Sequence, residues 1–232
     1  MLNARVLTAE FLGTFALVFF GAGAVVIDAA RADALGLLGI AFANAMVLSV
    51  AVTAFIRISG AHFNPAVTIA LWMANRVGGK TAALYIGVQL LAAFIAAFAI
   101  RSLLPQMPAE TMGFGTPRIA PDVDLVGAIL IEAMLTFFLV TAVFGTAVSS
   151  EAPAVGGFGI GLVLLFATLV GGPLTGAALN PARAFGPALM ANEWVGHAVY
   201  WIGPITGGAV ASLLWTKLLL PRNDVVASAT AS

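Results

Sequence analysis

The chain contains no cysteine, two histidines and few charges: 10 Lys+Arg and 10 Asp+Glu. Without cysteine there are no disulfides, thiolate metal sites or thiol nucleophiles. Two histidines leave little for metal chemistry, so neither a metal nor a cofactor is expected. The shortage of charge decides the class. A soluble domain carries about 25% charged residues; this chain of 232 residues carries 9%, with 61% hydrophobic residues. So few charges cannot coat a soluble fold, and a mean hydropathy of +1.07 points to an integral membrane protein. Zero net charge argues against a nucleic-acid partner.

What is abundant is long apolar sequence. A membrane-crossing helix needs about 20 mostly apolar residues. Ala34–Ile56, Thr81–Ile100, Ala152–Gly172 and Trp194–Thr216 qualify without a charge. Val6–Ile27 and Leu125–Val148 qualify with one acid each, Glu10 and Glu132. Six spans result. The first is too long for a signal core and lacks a basic leader, so it reads as a span. If the N-terminus is cytoplasmic, that side holds Arg5, Arg57, Arg76, Lys80, Lys217 and Arg222, against Arg31, Arg101, Arg118 and Arg183 outside. This mild positive-inside bias predicts a multi-pass protein of the cell membrane with both termini cytoplasmic.

Two further stretches, Ser59–Asn75 and Leu174–Asn192, are apolar, short and broken by Pro and Gly. They can enter a bilayer and return, but not cross it. Non-helical backbone at that depth is tolerated only where protein buries it or water bathes it. The stretches are also copies. Ile58-Ser-Gly-Ala-His-Phe-Asn-Pro-Ala66 parallels Leu174-Thr-Gly-Ala-Ala-Leu-Asn-Pro-Ala182 at an offset of 116 residues, half the chain. Glu10-Phe-Leu-Gly-Thr14 parallels Glu132-Ala-Met-Leu-Thr136 at an offset of 122. The expected fold is therefore all-α: six transmembrane helices plus two re-entrant half-helices in one channel domain, 1–232. It divides into repeats 5–120 and 121–220, followed by a short disordered tail, 221–232. Three spans per repeat is an odd number, so the second copy is inverted and the re-entrant segments meet near the midplane.

Their residues suggest the chemistry. Pro65 and Pro181 suit the first turn of a helix, which makes Asn64 and Asn180 N-caps. The short helices are predicted at Pro65–Asn75 and Pro181–Met190. Each points a positive dipole end of roughly half a charge at the centre, a place hostile to cations. Asn64 and Asn180 add amide donors. Carbonyls of Gly60, Ala61 and His62, and of Gly176, Ala177 and Ala178, would form an acceptor ladder. Such a path suits a small, neutral, hydrogen-bonding solute.

These motifs resemble the major intrinsic protein family, the aquaporins. The resemblance rests on Asn64-Pro65-Ala66 and Asn180-Pro181-Ala182, on Arg183 directly after the second motif, and on the Glu-x-x-x-Thr openings. It extends through Ser59-Gly-Ala-His-Phe-Asn-Pro-Ala-Val-Thr68 and Asn180-Pro-Ala-Arg-Ala-Phe-Gly-Pro-Ala188, and covers roughly residues 5–220. It implies a six-helix pore in the lipid bilayer, assembled as a homotetramer with one pore per protomer. It also implies a second constriction of four positions, which here fall on Asn44, Thr168, Ala177 and Arg183. The water-selective pattern has Phe and His where this chain has Asn44 and Thr168. The glycerol-facilitator pattern has two aromatics and an Asp after the arginine, where this chain has Ala184. The frame is aquaporin-like and the filter atypical.

Blander roles stay open at this level. Asn44 could bond a neighbouring helix, and Thr168 could bond its own. Glu10 and Glu132 suit loop support better than proton relay. Arg183 could belong to a structural ion pair, though an intramembrane arginine is usually functional. His62 suits the pore wall, His197 the membrane interface, and Gln89 a bond between helices. The glycines of 156–161 and 203–211 suit close helix packing. The leading expectation is a passive channel for water and small uncharged polar solutes (glycerol, urea or neutral metalloid acids) that excludes protons and ions. The alternative is an ion-coupled secondary transporter, which can also use inverted repeats. An enzyme is not expected, because no nucleophile, base and orienting group occur together.

Overall fold

The computed structural model describes residues 3–221; of the predicted tail, residues 222–232 lie outside the described residues. In chain order the helices are α1 (Ala4–Ala30), α2 (Gly36–Ser59), the short α3 (Pro65–Met73), α4 (Gly79–Leu103), the six-residue α5 (Gln106–Thr111), α6 (Leu125–Val143), α7 (Phe158–Thr175), the short α8 (Pro181–Ala191) and α9 (Val199–Leu214). Wider π turns carry α6 on through Phe144–Val148 and α9 on through Trp215–Leu219. With those extensions, α1, α2, α4, α6, α7 and α9 are long and apolar enough to cross a membrane.

Local chemistry sets the ends. Asn3 caps α1 by accepting from Val6 N, and Asp124 caps α6 by accepting from Gly127 N. Asp28 Oδ1 accepts from Leu35 N and Gly36 N, both at 2.8 Å, and so caps α2 from the last turn of α1. Most predicted bounds move by a few residues, and at four of them a turn residue sets the new end. The fifth span starts at Phe158 rather than Ala152, because Pro153 and the left-handed Gly156 (φ 57) belong to a turn. The sixth starts at Val199 rather than Trp194, after a turn through the left-handed Gly196 (φ 68). The first half-helix ends at Met73 rather than Asn75, whose φ of 56 closes it. The second runs one residue beyond Met190, to Ala191, and left-handed Asn192 stops it.

In chain order α1–α4 are matched by α6–α9, and within each set the first span packs on the last, α1 on α4 and α6 on α9. Each half-helix packs on the last span of the other half, α3 on α9 and α8 on α4, while α2 and α7 pack together between the halves. Small residues allow this. Gly161 of α7 lies so close to Ala45 and Ser49 of α2 that a Cβ would not fit. Gly207 of α9 meets the Ala133 backbone of α6 in the same way. The half-helices are thus wedged between spans, and both N-termini face the interior.

Candidate functional site

Two short loops build the site. Gly60 and Gly176 end α2 and α7 in the left-handed region, at φ 85 and 80. The chain then reaches Asn64 and Asn180 through left-handed Ala61, Phe63, Ala177 and Leu179. Non-glycine residues in that region cost about 1–3 kcal/mol each, so the loops need external support. Two fully buried carboxylates supply it. Glu10 accepts from Ser59 Oγ (2.6 Å), His62 N (3.0 Å), Phe63 N (2.8 Å) and Gln89 Nε2 (2.9 Å). Glu132 accepts from Thr175 Oγ1 (2.7 Å), Ala178 N (2.9 Å) and Leu179 N (2.8 Å). Behind them, Tyr85 Oη donates to Ser59 O, and Tyr200 Oη donates to Thr175 O. Gln89 bridges between helices, because Nε2 also donates to Thr68 Oγ1 at 3.1 Å.

At the tip of each loop the asparagine carries two duties. Asn64 Oδ1 accepts from Ala66 N; Asn180 Oδ1 accepts from Ala182 N and Arg183 N. These are N-caps. Asn64 Nδ2 donates to Leu179 O, and Asn180 Nδ2 donates to Phe63 O, both at 2.9 Å. An amide nitrogen has two protons, so each side chain keeps one for a visitor. Pro65, Ala66, Pro181 and Ala182 are buried in the first turns of α3 and α8.

A narrow cavity of about 30 Å³ runs along both loops, which is space for about two waters. Asn64, Asn180, Ala61, His62, Ala177 and Ala178 line it, and apolar side chains such as Leu17, Leu48, Ile160 and Leu164 complete the wall. A wider cavity of about 230 Å³ lies on the side of the 112–124 loop and includes Thr168, Gly176 and Arg118. Asn44, Ala177 and Arg183 border both cavities. They are the wall that the two cavities share, a neck between them. Of the expected carbonyl ladder, Gly60 borders neither cavity, because it caps α2 before the loop turns inward.

The neck residues are held differently. Asn44 bonds its own helix and not a neighbour: Nδ2 donates to Ile40 O at 2.9 Å. Its carbonyl end lies against Gly21 of α1, which has no side chain to displace it. Among the described residues the Thr168 hydroxyl has no protein partner, so it makes no back-bond to α7. Arg183 Nη1 donates to Gly115 O at 2.7 Å, and among the described residues no carboxylate lies within 4.0 Å of it. His62 Nδ1 lies 3.1 Å from Thr68 Oγ1. With the Thr68 proton given to Asn64 O, Nδ1 is the donor and Nε2 keeps a free lone pair. His197 stands apart from both cavities, accepting from Trp201 Nε1 at 3.1 Å, and burial holds its pKa below the usual imidazole range.

Several contributors carry no motif of their own. Gly115 and the two tyrosines escape a search for known patterns, while Ser59, Thr68 and Thr175 lie inside the repeated motifs with nothing in the motif to announce their bonds. The tyrosines did leave a signal: they are the chain's only two and stand 115 residues apart, close to the repeat offset.

Fold and site together define a transmembrane channel whose narrower inner cavity is lined by the asparagine pair. The description Major intrinsic protein matches residues 1–215. Aquaporin TIP4-4 of Zea mays is 38% identical over 236 residues, covering 95% of this chain and 92% of its own. Aquaporin A of Dictyostelium discoideum is 36% identical over 224 residues, covering 94% and 79%. Among solved structures, the aquaglyceroporin from Plasmodium falciparum superposes with a TM-score of 0.81 at 25% identity, covering 95% of this chain and 98% of that one. The chain belongs to the major intrinsic protein family.

Proposed function

We propose that this protein is a passive channel for water and small uncharged polar solutes, and that Asn44, Thr168, Ala177 and Arg183 form its selectivity filter. It is a channel, not an enzyme. The meeting of the two cavities at Asn44, Ala177 and Arg183 carries the reading. A solute crossing that neck meets one fixed cation and several hydrogen-bonding groups on an otherwise apolar wall. Cations meet Arg183 and the two positive half-helix ends. Neutral solutes exchange water for the asparagine amides and for the carbonyls of Ala61, His62, Ala177 and Ala178.

The finer reading includes repeats 5–120 and 121–220, a homotetramer with a pore in each protomer, and a cell-membrane location with cytoplasmic termini. The six apolar helices support residence in a membrane; the termini rest on the positive-inside bias, the repeat bounds on the copied motifs, and the tetramer on the family resemblance. The relatives' names include both aquaporins and an aquaglyceroporin, so the solute list is the point to test. Stopped-flow swelling of proteoliposomes with water, glycerol, urea and neutral metalloid hydroxides measures it, with and without sodium and proton gradients. Flux down each solute gradient, indifferent to the ion gradients, is expected. Uphill accumulation of any solute would replace this reading with an ion-coupled transporter.

A further inference from the structure

The 112–124 loop folds over the wider cavity, and Met112, Gly115, Thr116, Pro117 and Arg118 line it. Its tightest corner, Gly113-Phe114-Gly115, is left-handed at all three residues, with φ 53, 54 and 82. The Phe114 ring is buried with Ala22, Val26, Ile100 and Ala109. Gly115 meets the Ala22 backbone so closely that a Cβ would lie 2.7 Å from Ala22 O. This corner delivers the Gly115 carbonyl to Arg183 Nη1. It is the one hydrogen bond of the Arg183 side chain among the described residues. A guanidinium has five donors, and a single bond leaves its direction to whatever fixes that carbonyl.

Two side chains brace the corner. Arg118 Nε and Nη2 grip Glu193 Oε1 and Oε2 at 2.7 and 2.9 Å. Arg118 Nη1 donates to Thr111 O at 3.2 Å, on the other side of the corner. Glu193 stands two residues after α8, and its N–H donates to Ala188 O at 3.0 Å. The pair therefore ties the loop back to the half-helix whose first turn carries Arg183. A closed ring results: Arg183, Gly115, the loop, Arg118, Glu193 and α8. The repeat supports a link between the pair and the arginine. At the 116-residue offset, Arg183 corresponds to Val67 and Glu193 to Val77. The half without the charge also lacks the clasp.

We propose that Arg118 and Glu193 are positioning residues that set the direction of the Arg183 guanidinium, and with it the selectivity of the neck. The proposal rests on the channel reading and on Arg183 lying in the filter. Exposed ion pairs stabilise little, so the expected effect is on selectivity more than on folding.

The test uses the full chain in proteoliposomes, reading the glycerol-to-water permeability ratio and the proton leak. Arg183→Val alone is expected to raise both. Glu193→Gln and Arg118→Gln are each expected to shift them in the same direction by about three-fold. Glu193→Gln added to Arg183→Val is expected to change nothing further. The reversed pair, Arg118→Glu with Glu193→Arg, is expected to recover most of the parent behaviour. Arg118→Lys, which keeps the charge but loses the two-point grip, should fall between, and it serves if the glutamine variants fail to assemble. If Arg183→Val is silent, the filter reading itself fails. If Arg183→Val acts while Glu193→Gln and Arg118→Lys leave both readouts unchanged, the clasp is overturned. Additive effects of Glu193→Gln and Arg183→Val overturn it too.

Discussion

Asn64 and Asn180 are tied to each other's loops: each donates from Nδ2, at 2.9 Å, to the carbonyl directly before the other, Leu179 O and Phe63 O. Each cap therefore also joins the two halves of the chain. The arrangement fixes the remaining amide protons relative to one another, and a central water can accept from both. Such a water cannot pass a proton along a continuous chain, so no proton current is expected in the parent protein under a pH gradient.

The asparagine variants separate cap from donor. Asn180→Ala removes the cap of α8, which costs about 0.5–2 kcal/mol, and leaves Phe63 O without its partner. Asn180→Asp keeps an acceptor for Ala182 N but places an acid where the donor was. Thermal unfolding in detergent is expected to drop for Ala and to drop less for Asp. Proton or cation leak in proteoliposomes should rise for Asp. A leak-free Asn180→Asp channel would remove Asn180 from the solute path.

The two buried carboxylates differ in load. Glu10 accepts four hydrogen bonds and Glu132 three; the extra donor is Gln89. A glutamine at either place turns an NH₂ group toward donors that already need an acceptor. Breaking a buried charged network in this way costs about 3–5 kcal/mol. Glu10→Gln is expected to lower the unfolding temperature more than Glu132→Gln. Equal losses, or a larger loss at Glu132, would show that the left-handed loops are held by something else.

Much of this frame is legible in the chain itself. The Asn-Pro-Ala copies half a chain apart announce the repeat, and charge-free runs announce the spans. The span ends are less legible: Ala152–Gly157 and Trp194–Ala198 are as apolar as a helix, yet their turn residues take them out of one. The pore wall is less legible still. Leu17, Leu48, Ile160 and Leu164 face the cavity, but lipid and pore both accept leucine and isoleucine, so composition does not tell the two faces apart. Gly115 and Arg183 meet across 68 residues because a left-handed corner aims one carbonyl, and no pattern of residue types encodes that aim.

Acid should loosen the Arg118–Glu193 pair. The Arg118 hydrogen bonds hold the Glu193 carboxyl below the usual carboxylate range, and Arg118 is the one charged group that shifts it. A depressed pKa means the contribution is present above the unfolded value, about 4.3, and is lost as pH falls through the folded value. The parent is expected to unfold at a higher temperature than Glu193→Gln at pH 6–7, by a small margin because the pair is partly exposed. That margin should close as the pH approaches 3. A margin that persists at pH 3 would mean the two proteins differ for a reason other than this charge.

The neck decides which solutes follow water. Relative to the water-selective pattern, Asn44 and Thr168 replace two rings with smaller, hydrogen-bonding side chains. The structure gives them separate places: Asn44 sits in the neck beside Ala177 and Arg183, and Thr168 on the wall of the wider cavity. Both groups can meet a solute hydroxyl, which would otherwise cost about 1–3 kcal/mol to leave unpaired. Compact polar solutes should therefore gain more than long polyols, which lose a greasy ring wall. Asn44→Phe with Thr168→His is expected to narrow the path and abolish glycerol and urea flux while water flux persists. Asn44→Phe alone should carry most of the effect, because of the two positions only 44 lies in the neck. Swelling assays on the two single variants and the double variant decide this. Solute flux that survives in the double variant would show that selection happens elsewhere along the path. A parent channel that already excludes glycerol, urea and neutral metalloids would make this protein a plain water channel.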